Sequence, residues 1–235
     1  METTKNEFMG KYLTPIAVLL AAVIIAFALI YGRDMGGAAG GVPQAAAVDI
    51  KDVKEGTSPV IGDPNAPTTV ALFYDYQCPF CKQFEQAVMP QLIANYVETG
   101  KTKVILKDFQ FLGEDSTTAA LFARALWEAQ PEKFYEWYVA VNAAQDDEGD
   151  QGFGDLASIQ ELSRGIAGID VDRVTALMNE KKATYQKAIE ADRAEGSALG
   201  INGTPSVIVG KKLLSGLTPP QYYQQIAAEL DAQLK

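Results

Sequence analysis

Histidine is absent from all 235 residues, and cysteine occurs only twice. Without imidazole there is no Ser-His-Asp or Cys-His hydrolytic arrangement, no His-ligated zinc or iron, and no imidazole general base. Two cysteines cannot staple a large disulfide framework, so they are either incidental or the centre of the chemistry. Positive charge is also scarce: 20 Lys and Arg stand against 30 Asp and Glu, a formal net charge of −10. A nucleic-acid partner would need a basic patch to displace counterions, so none is expected. Apolar residues, by contrast, make up 48% of the chain and charged residues 21%. That composition supports a packed core, and the length suits one domain with extras or two small domains.

Charge is missing altogether from Tyr12 to Gly32, whose centre runs from Ile16 to Ile30 as almost unbroken aliphatic sequence. A bilayer core is ~30 Å thick and needs ~20 helical residues, so the run is long enough to span. Tyr12 and Tyr31 flank it as interfacial aromatics do. A cleaved signal peptide would have a shorter apolar region with a small-residue site close behind. The nearest such site, Ala45-Ala46-Ala47, lies well beyond the run. The reading is therefore an uncleaved anchor over 12–32, with residues 1–11 as a cytoplasmic N-terminus. Lys5 and Lys11 before the run, against Arg33 after it, lean toward that orientation. Residues 33–56 follow as a flexible linker, its first half rich in Gly and Ala without apolar periodicity. Residues 1–33 carry three basic and two acidic side chains, so the rest of the chain holds the whole negative excess.

The globular part opens at a turn-rich Gly62-Asp63-Pro64 and a β-branched, aromatic strand over 68–74. Then come Asp75-Tyr76-Gln77 and Cys78-Pro79-Phe80-Cys81, followed by helical spacing of Phe84, Val88, Leu92, Ile93 and Tyr96. Pro90 should kink that helix, and 104–109 reads as the next strand. A cysteine at a strand-to-helix junction faces free N–H groups and the positive end of the helix dipole, both of which favour thiolate. Pro79 suits the first helical position, where no N–H is needed. On this reading Cys78 is the more exposed, nucleophilic sulfur and Cys81, one turn inside, its buried resolving partner. The pair could instead be half a zinc site, but no second pair or histidine completes one. A static disulfide closing so short a loop would add little stability. Phe80 offers neither charge nor donor, so the acidity of Cys78 should come from the helix end and backbone alone, and its pKa should be lowered only moderately.

No convincing strand appears between Ser116 and Ala194. Helices are expected over about 115–129, 132–144, 155–166, 172–180 and 181–198, with Ser116, Asp155 and Asp170 as N-caps. Trp127, Phe134, Trp137 and Tyr138 fall at helical spacings and read as core. The acidic run 145–152 is read as a solvated loop, since its glycines stand at the wrong offsets for a calcium loop. After Gly203-Thr204-Pro205 come two short strands, 206–209 and 212–215, joined as a hairpin through Gly210-Lys211. Pro219 opens a last amphipathic helix carrying Tyr222, Ile226, Leu230 and Leu234. A proline that begins a strand after Gly-Thr suits a cis bond, or else an ordinary strand-edge loop.

Strand, CPxC, kinked helix, strand, helical block, Thr-Pro, hairpin and helix together resemble the DsbA-like family. The local wording is similar too, in Gly62-Asp63-Pro64, in Asp75-Tyr76-Gln77-Cys78-Pro79-Phe80-Cys81 and in Gly203-Thr204-Pro205. The resemblance implies an α/β, thioredoxin-like fold over 57–235 with an inserted helical subdomain at about 114–198, preceded by one N-terminal transmembrane helix. It implies catalysis by Cys78 and Cys81 with Pro79 and Phe80 in the motif, Pro205 as the cis-proline facing the disulfide, and Thr204 bonding a substrate backbone. No cofactor is implied beyond the redox-active Cys78–Cys81 disulfide. The implied activity is a thiol–disulfide oxidoreductase outside the cytoplasm that introduces disulfides into exported, cysteine-containing proteins. Its implied partner is a quinone-linked membrane protein of the DsbB or VKOR kind. A reductase or isomerase of the same fold is the alternative, and a tethered, non-redox binding module a more distant one. Two departures stand out: the motif histidine is Phe80, and the acidic residue six positions before the first cysteine is Leu72. Both remove groups that tune potential and proton transfer.

Overall fold

A computed structural model describes residues 48–145 and 153–235. The expected span at 12–32 and most of the acidic run lie outside these residues. Among the described residues no helix is long and apolar enough to cross a membrane.

The strands are β1 (Val60–Ile61), β2 (Thr68–Tyr74), β3 (Thr102–Asp108), β4 (Ser206–Val209) and β5 (Lys212–Ser215). They form one sheet in the order β1-β3-β2-β4-β5. Only β2 and β3 run parallel, from Thr68 opposite Thr102 to Tyr74 opposite Asp108; the other pairs are antiparallel. β2 lies at the centre and is almost wholly buried, as its unbroken apolar sequence requires. The two-residue β1 gave no sequence signal, being too short to show alternation.

Helix α1 (Pro79–Ala87) follows the cysteine motif, then α2 (Met89–Leu92) and a π-helical turn over Ile93–Val97. The interruption sits at Val88, two residues before the expected kink. Pro90 has no N–H for the carbonyl four residues back, so the preceding turn gives way while the proline settles into the first turn of the next helix.

The block between β3 and β4 contains α3 (Glu114–Ala129), α4 (Phe134–Ala144), α5 (Leu156–Arg164), α6 (Val171–Glu180) and α7 (Lys182–Ala198). Asp155 and Asp170 cap α5 and α6 as expected, each accepting from the N–H three residues on. Ser116 does not cap α3. It lies inside the helix, whose N-cap is Gly113 at φ 100°, and its hydroxyl turns inward to Asp75. The last helix is α8 (Pro219–Gln233), whose N-cap Thr218 forms a reciprocal capping box with Gln221.

The alternation of β2 divides the core. Val70, Leu72 and Tyr74 face one apolar cluster with the active-site helix and the inserted helices, including Phe134, Trp137 and Tyr138. Ala71 and Phe73 face a second cluster with Phe109, Ile201 and Ile208. Helix α7 can approach this second face because Gly196 has no Cβ; one there would lie 3.0 Å from the rings of Phe73 and Phe109.

The linker ends earlier than the sequence suggests. Val48 and Val53 are buried in that second cluster. The N–H of Ile50 donates to the Gly210 carbonyl at 2.7 Å, and that of Lys54 to the Glu195 carboxylate at 2.9 Å. Residues 48–56 thus pack on the domain. Their apolar positions are too widely spaced to register as a strand or helix.

Candidate active site

Three features converge at the end of β2. The chain leaves the strand through Asp75, Tyr76 and Gln77, and Cys78 then acts as the N-cap of α1, with Pro79 in its first turn. The N–H groups of Cys81 and Lys82 donate to the Cys78 carbonyl at 2.9 and 3.1 Å. The antiparallel register sets Phe73 opposite Ser206, so Pro205 arrives beside the end of β2. The Thr204–Pro205 peptide bond is cis. The hydroxyl of Tyr222 on α8 donates to the Pro205 carbonyl at 2.6 Å, while its ring meets Phe84 of α1 edge-on at 5.2 Å. A single tyrosine therefore joins the proline loop to the active-site helix.

Cys78 and Cys81 are free thiols in this structure. Cys78 is 3% exposed and Cys81 2%, so Cys78 is the more exposed sulfur by a narrow margin and both are buried. The Thr204 loop covers Cys78, whose sulfur lies 3.4 Å from the Thr204 carbonyl oxygen. The two sulfurs differ in electrostatics instead. Cys78 is lowered from 9.0 to about 6, first by a hydrogen bond from the Cys81 thiol. Burial opposes this, while the Thr204 hydroxyl and the N–H groups of Cys81 and Phe80 assist. The depression is moderate, as the absence of a charged or imidazole neighbour suggested, but the helix end does not act alone. Burial pushes Cys81 well above the ordinary thiol value, and its role as donor to Cys78 adds to the rise. The Thr204 hydroxyl is buried and has no hydrogen-bond partner among the described residues, which leaves it available to the Cys78 thiolate.

Phe80 projects outward and is 63% exposed. With Phe84, Pro205, Leu217, Pro219 and Tyr222 it lines an apolar groove of about 490 Å³ next to the cysteines. Thr204 also borders this groove; of the residues anticipated from the sequence, Phe80, Thr204 and Pro205 line it, and Cys78 lies against Thr204 at its side.

Other residues hold the site without any motif to announce them. The Asp75 carboxylate accepts from the N–H groups of Gln77 at 2.9 Å, Phe111 at 2.8 Å and Leu112 at 3.2 Å, and from the Ser116 hydroxyl. It thereby fastens the β2 exit to the start of α3. Gln145 donates to the Tyr76 carbonyl at 2.6 Å, and Lys82 donates to the Gln145 carbonyl at 2.5 Å. Glu85, one turn beyond Cys81, is 3% exposed. Burial pushes it up from 4.5 to about 8, although the Tyr135 hydroxyl donates to it at 3.2 Å. The sequence signal for Glu85 was available: an acid on the helical face that carries Cys81, Phe84 and Val88.

A thioredoxin family model matches residues 54–229. Disulfide bond formation protein D of Bacillus subtilis (strain 168) is 27% identical over 177 residues, covering 75% of this chain and 77% of the relative. The crystal structure of oxidised BdbD from Bacillus subtilis superposes with a TM-score of 0.67 at 25% identity, covering 76% of this chain and 93% of that one. Chlamydia trachomatis DsbA shares the fold, with a TM-score of 0.65 at 21% identity over 78% of this chain and 97% of its own. With its CPFC helix start, cis-proline loop and inserted helices, the chain belongs to the thioredoxin family, among the DsbA-like thiol–disulfide oxidoreductases.

Proposed function

We propose that the protein introduces disulfides into exported proteins outside the cytoplasm, held at the membrane by the apolar span at 12–32. The observation that carries this reading is the placement of Cys78 at the N-cap of α1, beside a buried Cys81 and against Thr204, surroundings that favour its thiolate down to about pH 6. In the oxidised enzyme a substrate thiolate attacks the Cys78 sulfur. The Cys78–Cys81 bond breaks, and Cys81 leaves as a thiolate that takes up a proton. A second substrate thiolate attacks the substrate sulfur of the mixed disulfide, and Cys78 leaves as a thiolate. Its low pKa makes it a good leaving group, so substrates are released oxidised. The apolar groove suits an extended segment flanking the substrate cysteine, and the exposed Phe80 ring gives that segment a surface to pack on. The enzyme departs as a dithiol. Re-oxidation falls to a quinone-linked membrane protein of the DsbB or VKOR kind, near which an anchor would raise the effective concentration. No cofactor is needed beyond the cysteine pair itself. The names of the Bacillus relatives, which are disulfide bond formation proteins, support the oxidase direction.

Trapping tests this directly. Cys81→Ala should accumulate mixed disulfides through Cys78 with exported proteins, and Cys78→Ala should accumulate none. The absence of any adduct in the first variant would end the reading. A reduction potential toward ~−120 mV supports an oxidase, and one near ~−270 mV would overturn that direction in favour of a reductase.

A further inference from the structure

We propose that Asn202–Gly203 is a site of spontaneous modification, where loss of the Asn202 side-chain amide puts a carboxylate on the loop that covers Cys78. The effect on Cys78 rests on the thiol–disulfide reading above; the modification itself does not. No other asparagine in the chain is followed by glycine. In amide loss the backbone nitrogen of the next residue attacks the asparagine side chain, and glycine leaves that nitrogen unshielded. Asn202 is exposed, and its amide has no hydrogen-bond partner among the described residues. The Gly203 N–H is likewise unbonded among them. Asn142 shows the opposite case: it is buried, its amide donates to the Tyr138 carbonyl at 2.8 Å, and alanine follows it.

The chain is fixed on either side of the pair. Ile201 is buried, and its N–H donates to the Gly196 carbonyl at 2.9 Å. The Ser206 hydroxyl donates to the Gly203 carbonyl at 2.7 Å. A change at residue 202 is therefore passed on to Thr204 rather than lost in a free end. Gly203 borders the apolar groove, and the Thr204 carbonyl lies 3.4 Å from the Cys78 sulfur. Nothing in the fold requires glycine at 203. Its φ lies outside the left-handed region, and a Cβ there would meet no atom within 4 Å.

The step balances with water alone as co-reactant. The Gly203 nitrogen bonds to Cγ of Asn202, the bond from Cγ to the side-chain nitrogen breaks, and ammonia leaves with the Gly203 proton. The product is a cyclic succinimide. Water then opens the ring at one of its two carbonyls. Opening at Cγ leaves aspartate; opening at the backbone carbonyl leaves isoaspartate, with an extra methylene in the main chain. Either product adds one negative charge. Two residues reach at most about 7 Å, so that charge lies about 10 Å from the Cys78 sulfur. There it disfavours the thiolate by roughly two-fold in water-like surroundings. Isoaspartate also shifts the loop, and with it the Thr204 hydroxyl that favours the thiolate.

Ageing of the reduced full-length protein in mildly alkaline water enriched in heavy oxygen tests both parts. The tryptic peptide 194–211 contains no other amide side chain. It should take up one heavy oxygen and separate into aspartate and isoaspartate forms on chromatography. Gly203→Ala, whose methyl group shields the nitrogen, should lose this product, and Asn202→Gln should lose it too. A wild-type peptide that stays unmodified, or one modified equally in both variants, would overturn the site. Cys78 is read separately, by its rate of alkylation at about pH 6, near its midpoint. Aged wild type and Asn202→Asp should both alkylate about two-fold more slowly than fresh wild type, while aged Asn202→Gln keeps its fresh rate. Modified protein that alkylates at the fresh rate would overturn the effect on the redox site. A fresh wild type without an acidic Cys78 would instead refute the thiol reading, and the peptide would still decide the modification.

Discussion

At the scale of single residues, the reactivity of the site rests on hydrogen bonds to one sulfur. Cys78 is acidic because the Cys81 thiol, the Thr204 hydroxyl and two backbone N–H groups all favour its thiolate. Thr204→Val removes one such donor and keeps the shape. Its Cys78 pKa should rise from about 6 by about one unit, the size of one hydrogen bond to a charged group at ~1.5 kcal/mol. Thiolate ultraviolet absorbance across a pH titration measures it. The sign for stability follows. A thiol whose folded pKa is depressed stabilises the reduced fold above its unfolded pKa, and that stability is lost as pH falls through about 6. Thr204→Val should therefore stabilise the reduced form less and lower the reduction potential by roughly 20–30 mV at pH 7. An unchanged potential would count against the hydroxyl. The identity of the two cysteines and of Pro79, Phe80, Thr204 and Pro205 was legible in the chain, because each belongs to a short motif. The burial of Cys78 was not, because the residue that covers it lies 126 positions away.

At the scale of elements, a carboxylate outside the motif keeps the redox helix in place. Asp75 gathers donors from its own turn, from the loop after β3 and from α3. Asp75→Ala would leave the part-buried N–H groups of Phe111 and Leu112, and the buried Ser116 hydroxyl, without their acceptor. It should lower stability by about 3 kcal/mol, seen as a lower denaturant midpoint at unchanged slope. Loss of less than about 1 kcal/mol would mean that the loop finds other acceptors. Helix positions along the inserted block were read well from apolar spacing, because each helix buries one face and shows the other to water. The expected cap at Ser116 failed because capping is a local rule, and this serine answers instead to Asp75, 41 residues earlier.

At the scale of the whole molecule, buried charge ties the N-terminal segment, the sheet and the inserted helices together. Arg124 of α3 donates to Asp108 at the end of β3, to Asp192 of α7 and, at 3.2 Å, to the Thr57 hydroxyl. Lys107 of β3 pairs with Asp192, with Glu195 at 2.9 Å and with the Lys54 carbonyl at 2.8 Å. Breaking such a network from one side is costly, since the remaining charges stay buried. Residues 48–56 join both this network and the second apolar cluster. A chain beginning at residue 57 should therefore be less stable than one beginning at residue 47, by about 3 kcal/mol for Val48 and Val53 together. Thermal or urea unfolding of the two forms checks this; equal stability would restore the longer linker.

Sequence alone determined the cysteine chemistry and the order of the elements from β2 onward. The cysteine spacing, the proline at a helix start and the apolar periods are local patterns, readable because backbone geometry repeats every 2 or 3.6 residues. Tertiary structure decided what surrounds the two sulfurs. It laid Thr204 over Cys78, set Tyr135 against Glu85 and drew the segment before residue 57 onto the sheet. Burial and hydrogen bonding between distant residues set pKa values and exposure, and no spacing along the chain encodes them. The missing histidine remains the clearest case. The sequence shows that imidazole cannot tune the thiolate, and only the fold supplies what does so instead: a neighbouring thiol, a hydroxyl and two backbone N–H groups.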